Sequence, residues 1–226
     1  MPAFYFTKDE PIAGGQLSWP AFGRAEATLL MGVPHSELSL GPGATRTLTL
    51  ELPEGTLTLQ GAALGVRRTP EGWAWVRWVA GKARLHKVLK PKFYRNVPAR
   101  VAILDALNEV GEEAGELDAD TTLPVWTRYE EPAYRLLDRL TQAIGRVWRV
   151  NEKGQVEVTA PEWPPTPEVK ASRAVASGVY RLPLLGPVRP GTTLPVWLGG
   201  KVAPIKTERV VYYLDPQNLG VEVWDA

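Results

Sequence analysis

The sequence predicts a β-rich α+β protein, with two barrel-like antiparallel β domains and a two-helix plus hairpin element between them. Three observations carry that expectation. Period-two alternation dominates the first ninety residues. Three-to-four spacing appears twice in the middle of the chain. Short apolar strands return after a proline-rich connector. The expected units are residues 1–92, 93–160 and 161–226.

The clearest β signal lies between Thr45 and Gly61. Leu48, Leu50 and Leu52 alternate with Thr47, Thr49 and Glu51, and Pro53-Glu54-Gly55 then turns the chain. Leu57 and Leu59 alternate with Thr56, Thr58 and Gln60 on the return. Alternation on both sides of a glycine-containing turn describes a hairpin with one buried and one wet face. A second hairpin follows, Val66-Arg67-Arg68, the turn Thr69-Pro70-Glu71-Gly72, then Trp73 to Val79. That last run is apolar on both faces for most of its length, which suits a central strand or a barrel wall.

A helix is expected after Pro98, with Asn96 as a candidate cap and Val101, Leu104, Leu107 and Val110 as its apolar stripe, ending at Gly111. A second begins at Glu131-Pro132, carries Ala133, Leu136, Leu137, Leu140 and Ile144 on one face, and stops at Gly145. Val147 to Val150, the turn Asn151 to Gly154, and Val156 to Val158 then form a hairpin. Residues 160–167 are too rich in proline for helix or central strand. Beyond them, strands are expected over Gly178–Leu185, Thr192–Leu198, Ile205–Leu214 and Leu219–Trp224, with a turn at Asp215-Pro216-Gln217-Asn218. The hexapeptide Thr-Thr-Leu-Pro-Val-Trp occurs at 121–126 and 192–197, too short to define a repeat.

Composition excludes several function classes. A chain of 226 residues buries a core without staples, and the absence of cysteine removes disulfides, thiol nucleophiles and thiolate metal sites. The first ten residues lack the basic and apolar regions of a secretory signal, and no run approaches the ~18–20 apolar residues of a spanning helix, so neither export by that route nor a membrane anchor is expected. His35 and His86 are the only histidines, the residue type suited to acid–base work near neutrality, and neither belongs to a metal pattern. None of the five serines sits in a G-x-S-x-G elbow, and no phosphate-loop or dinucleotide fingerprint is present. The expectation is therefore no catalytic, cofactor or metal site. Abundant Pro and Gly (21 each) with only 2 Met suits a hot environment.

Net charge is +1, yet charge is segregated. Lys82, Arg84, Lys87, Lys90, Lys92, Arg95 and Arg100 run without an acid and are interleaved with Phe93 and Tyr94. Glu109, Glu112, Glu113, Glu116, Asp118 and Asp120 run without a base. The basic stretch admits three readings: a nucleic-acid surface, a solvated strand and loop, or a partner for the acidic stretch of a neighbouring subunit. Lys82, Arg84, Lys87, Lys90, Lys92, Arg95, Glu112, Glu113 and Glu116 are accordingly the candidate subunit-interface or channel-facing residues. The nine tryptophans are expected to be mainly core and interface anchors.

Two segments together resemble a known group. The first is Trp75-Val76-Arg77-Trp78-Val79-Ala80-Gly81-Lys82-Ala83-Arg84-Leu85 running on to Val101-Ala102-Ile103-Leu104-Asp105-Ala106-Leu107-Asn108-Glu109-Val110-Gly111. The second joins Glu131–Leu140, Ile144–Val150 and Gly154–Val158. This order of strand, helix, extended link, helix, Gly and hairpin is similar to phage baseplate hub proteins, including the late control protein D family and the hub portion of type VI secretion spike proteins. Arg209–Tyr213 followed by Val221–Trp224 resembles the way shorter hubs finish. The likeness spans roughly Trp73 to the end.

The resemblance implies a non-enzymatic structural protein of a phage or phage-like tail, made in the host cytoplasm and residing in the baseplate. It implies a homotrimer forming a pseudo-sixfold ring around the DNA channel, with transient non-specific DNA contact. Its partners would be the tail tube, spike and tape-measure proteins. The alternative, from the residues, is a β-barrel binding module for nucleic acid or glycan that uses the basic stretch or exposed tryptophans.

Overall fold

The computed structural model describes residues 2–6, 10–38, 40–166 and 170–226. Six strands open the chain: β1 (Ala3–Phe6), β2 (Glu10–Pro20), β3 (Glu26–Met31), β4 (Thr45–Leu52), β5 (Gly55–Arg68) and β6 (Ala74–Ala80). They pair antiparallel in the order β1-β4-β5-β6-β3-β2. Tyr5 opposite Pro11 and Phe6 opposite Glu10 return the last strand to the first, so the ring closes. Closure leaves these strands without free edges over the paired stretch.

The alternating leucines of β4 and β5 fill the interior. Leu48 faces Leu59 and Leu50 faces Leu57, and all four are buried. Each such side chain contributes about 1.5–3 kcal/mol by leaving water. On β6, Ala74, Val76, Trp78 and Ala80 are buried while Trp75 and Arg77 are exposed. The strand is therefore central, as expected, but not apolar-packed on both faces along its length. Trp78 lies hard against Gly61, where a Cβ would come within 2.2 Å of the indole, and its Nε1 donates to the Arg46 carbonyl at 3.2 Å.

After the barrel come β7 (Lys92–Pro98), α1 (Ala99–Val110), β8 (Ala114–Leu117), β9 (Thr122–Arg128), α2 (Ala133–Ala143), β10 (Val147–Val150) and β11 (Val156–Thr159). β7 and β9 form a two-stranded antiparallel ribbon. β10, β11 and β8 form a small sheet, with β8 parallel to β11. Both helices stop where expected, at the left-handed Gly111 (φ 77°) and beside Gly145 (φ 65°). The α2 face matches its apolar stripe, with Leu136, Leu137 and Leu140 fully buried.

The α1 face differs from expectation. Its inward residues are Ala99, Ala102, Ile103, Ala106, Leu107 and Val110, whereas Val101 and Leu104 face out. Alanines let the helix approach its neighbours closely, and a stripe chosen on large side chains overlooks them. Pro98, without a side-chain hydrogen bond, occupies the cap position; Asn96 sits within β7 at φ 51°.

The β10–β11 hairpin is stitched to the barrel by Gly23 N–H to the Trp148 carbonyl, Val150 N–H to the Gly23 carbonyl, and Gln60 N–H to the Glu152 carbonyl. The remaining strands are β12 (Lys170–Ala171), β13 (Arg173–Ala176), β14 (Val179–Leu182), β15 (Thr193–Leu198), β16 (Lys201–Tyr213) and β17 (Gly220–Asp225). They extend the barrel sheet, because Arg209–Tyr213 of β16 pairs with Gln16–Pro20 of β2. Tyr212 locks the connector before β15: its hydroxyl accepts from Val188 N–H at 2.7 Å and donates to the Val188 carbonyl at 2.6 Å. The two hexapeptide copies both form strands, β9 in the ribbon and β15 in the C-terminal sheet.

Candidate functional site

The basic and acidic stretches meet within one chain. The link from β6 to β7 turns through two left-handed residues, Gly81 (φ 83°) and Ala83 (φ 60°). The Glu112 carboxylate, just past α1, closes that turn by accepting Lys82 N–H at 2.9 Å and Arg84 N–H at 2.5 Å. Glu112 is buried. Beside it the Lys82 ammonium pairs with Glu113 at 2.8 Å. The rest of the link is tied to the start of α2: Leu89 N–H donates to the Glu131 carbonyl, Ala133 N–H to that of Lys87, and Tyr134 N–H to that of Leu85.

Under the ribbon lies a second set of charges. Arg128, only 2% exposed, has an acceptor at each guanidinium nitrogen: Nε donates to the Lys90 carbonyl at 2.8 Å, Nη1 to Asp105 at 3.0 Å and Nη2 to Glu109 at 2.5 Å. Asp105 also accepts from Lys92 Nζ at 2.9 Å and from the Tyr94 hydroxyl at 2.5 Å. Burial alone would raise the Asp105 carboxyl. Hydrogen bonds from Lys92 and Tyr94, with the charges of Lys92 and Arg128, outweigh it and hold the group below its ordinary value. Burial, reinforced by the bond to Asp105, pushes the Tyr94 phenol well up.

These acids clamp α1 to its own ribbon and loop. Lys82 and Lys92 are paired inside the chain, and Glu112 and Glu113 are committed there. Arg84, Lys87, Lys90, Arg95 and Glu116 are exposed and make no side-chain ion pair among the described residues. Asp118 and Asp120 pair with Arg146 and Arg100.

What remains outward is the far face of the ribbon. Phe93 and Thr127 are cross-strand partners, as are Arg95 and Val125. Phe93 is 61% exposed and Val125 56%, with Val88 (59%) and Tyr129 (57%) at the flanks. An isolated two-stranded ribbon with one covered face is marginal alone, and an uncovered apolar face with a basic rim marks a contact surface. Val125 and Tyr129 escape a reading of the sequence because their strand pairs with one some thirty residues earlier, across an intervening helix. The alternation Val125-Trp126-Thr127-Arg128-Tyr129, whose odd-numbered members point outward, was the available signal. Among the described residues no three His, Asp or Glu side chains gather as a metal-ligating group, and no helix is long and apolar enough to cross a membrane.

The sequence matches no protein-family model and no curated protein. Solved structures do share the fold. A 43 kDa tail protein of prophage MuSo2 from Shewanella oneidensis aligns over 100% of this chain and 96% of its own, with a TM-score of 0.72 at 9% identity. The tail protein from Neisseria meningitidis MC58 covers 99% and 94%, with a TM-score of 0.66 at 8% identity. The c3393 protein of E. coli, a type VI secretion component described as structurally similar to the T4 tail proteins gp27 and gp5, aligns over 97% of this chain and 75% of its own, at a TM-score of 0.66 and 10% identity. The fold of this chain is therefore that of phage tail proteins and a related secretion component, as the order of its strands and helices suggested.

Proposed function

We propose that this chain is a structural component of a phage or phage-like tail, a baseplate hub that joins tail tube to central spike. The observation that carries the reading is the near end-to-end match with a tail protein at a TM-score of 0.72. Copies associate as a trimeric ring around the DNA channel, with tube, spike and tape-measure proteins as partners and DNA in passing contact. The role is mechanical, without turnover.

The ring contact is assigned to the outer ribbon face, Phe93, Arg95, Val125 and Thr127, with Lys87 and Lys90 at its rim. Buried aromatic and aliphatic anchors would supply affinity, and the unpaired cations would set register and encounter rate. The test is genetic and visual. A particle-producing host lacking this chain should make heads and no complete tails, and antibody against the chain should decorate one tail end in the complemented strain. Normal tails in its absence would refute the reading.

A further inference from the structure

The barrel wall carries a second surface that the tail reading does not use. Three adjacent strands place their outward residues in rows. Arg67, Trp75 and Leu30 form one row; Gly65, Arg77 and Thr28 form the next. Trp75 is 38% exposed and Arg67 and Arg77 are exposed. Gly65 leaves a notch between them, and the result is a shallow groove of about 460 Å³ lined by Thr28, Gly65, Val66, Arg67, Trp75 and Arg77. Arg67 and Arg77 are diagonal neighbours across the strand pair, roughly 7–8 Å apart at the backbone. Neither guanidinium makes an ion pair among the described residues. The nearest acid in the rows, Glu26, is engaged by Arg24 at 3.1 Å.

We propose that this groove binds single-stranded nucleic acid, a base stacking on Trp75 while Arg67 and Arg77 take the flanking phosphates. Two like charges side by side that make no ion pair of their own repel each other, and an anion relieves that repulsion. The exposed indole between them adds a stacking platform that needs no base-specific hydrogen bond. The lining disfavours a neutral sugar, which needs carboxylates or amides around the ring to engage its hydroxyls; Thr28 alone supplies a polar uncharged side chain. A second copy of the chain is also a poor match. Its acidic run is largely consumed by its own Lys82, Arg100, Arg128 and Arg146. The proposal is independent of the tail reading, so either can fail alone.

The test is fluorescence anisotropy of the whole protein with labelled oligothymidylate. Its controls are an abasic sugar–phosphate oligomer of equal length, duplex DNA and a sulfated polysaccharide. Expected are binding to oligothymidylate that weakens steeply between about 50 and 200 mM salt, and weaker binding of the abasic oligomer and of duplex. R67Q with R77Q should flatten the log–log salt slope by about 1.4, two phosphate contacts at ~0.7 each. W75A should weaken binding about tenfold while leaving the slope unchanged. Gly65→Leu fills the notch; a Cβ there meets nothing within 4 Å, so the variant should keep the parent's melting temperature while losing binding. Changing Lys201, an exposed cation of β16 outside the groove lining, to Gln should leave binding unchanged. No binding at low salt, equal binding of the abasic oligomer or the polysaccharide, or full binding by the Gly65→Leu protein would each overturn the proposal.

Discussion

Replacing Glu112 with Ala removes the acceptor for two backbone N–H groups at once. Both bonds are charge-assisted, at 2.9 Å to Lys82 and 2.5 Å to Arg84, and the carboxylate is buried. Hydrogen bonds to a charged group contribute about 1.5–3 kcal/mol each, so the two bonds bound the loss at roughly 3–6 kcal/mol. Lys82 is half-buried and Arg84 exposed, so water can reach the orphaned donors and recover part of that. The expected destabilisation is therefore about 2–4 kcal/mol, a fall in Tm of roughly 5–15 °C for a chain of this size. Glu112→Gln keeps one acceptor oxygen and should cost about half as much. The direct assay is denaturant unfolding of both variants, with amide exchange at Lys82 and Arg84, which should accelerate in Glu112→Ala while barrel amides such as Leu50 stay protected. A Glu112→Ala protein within about 0.5 kcal/mol of the parent, the range of ordinary surface changes, would refute the view that this acid serves the loop.

Other outcomes follow from the same geometry. Leu136→Asp or Leu140→Asp places a charge on the fully buried face of α2 and should unfold the middle region; unchanged thermal stability would mean the packing face is misassigned. Gly61→Ala drives a Cβ into the Trp78 ring and the Val79 carbonyl, and should cost several times the roughly 1 kcal/mol of an ordinary substitution, read by urea midpoint. Because Asp105 is held below its ordinary value, its contribution to stability is complete above the unfolded carboxylate range near pH 4 and is lost as pH falls through the folded value. Asp105→Asn should flatten that acid limb of the stability profile, and an unchanged limb would remove Asp105 as its source. Tyr212→Phe, which deletes both bonds to Val188, should loosen residues 183–192 and raise their proteolysis rate; an unaltered rate would contradict the lock.

Local signals were the legible ones. The β4–β5 hairpin, α2 and the β10–β11 hairpin follow from side-chain period and turn chemistry within about twenty residues, and each forms where alternation or helical spacing placed it. Pairings at long range were hidden. Nothing in Lys92–Pro98 or Thr122–Arg128 alone shows that they pair around α1, or that β16 would reach back to β2. The charge runs were visible, but their geometry was not. Glu112 and Glu113 lie thirty or more residues after Lys82 yet meet it in space, so they answer Lys82 and its loop, and only part of the basic stretch is left facing outward. Trp75 illustrates the opposite error, since an apolar run suggested burial where strand alternation turns that ring outward.

The most direct test of the central claim, a tail component that assembles into a ring through its ribbon face, is light scattering behind size exclusion across protein concentration at two salt strengths, with Phe93→Asp and Val125→Asp alongside. The account predicts a trimer that loosens as salt rises and falls to monomer in both variants. A monomer at every concentration, or a trimer indifferent to both substitutions, would contradict it.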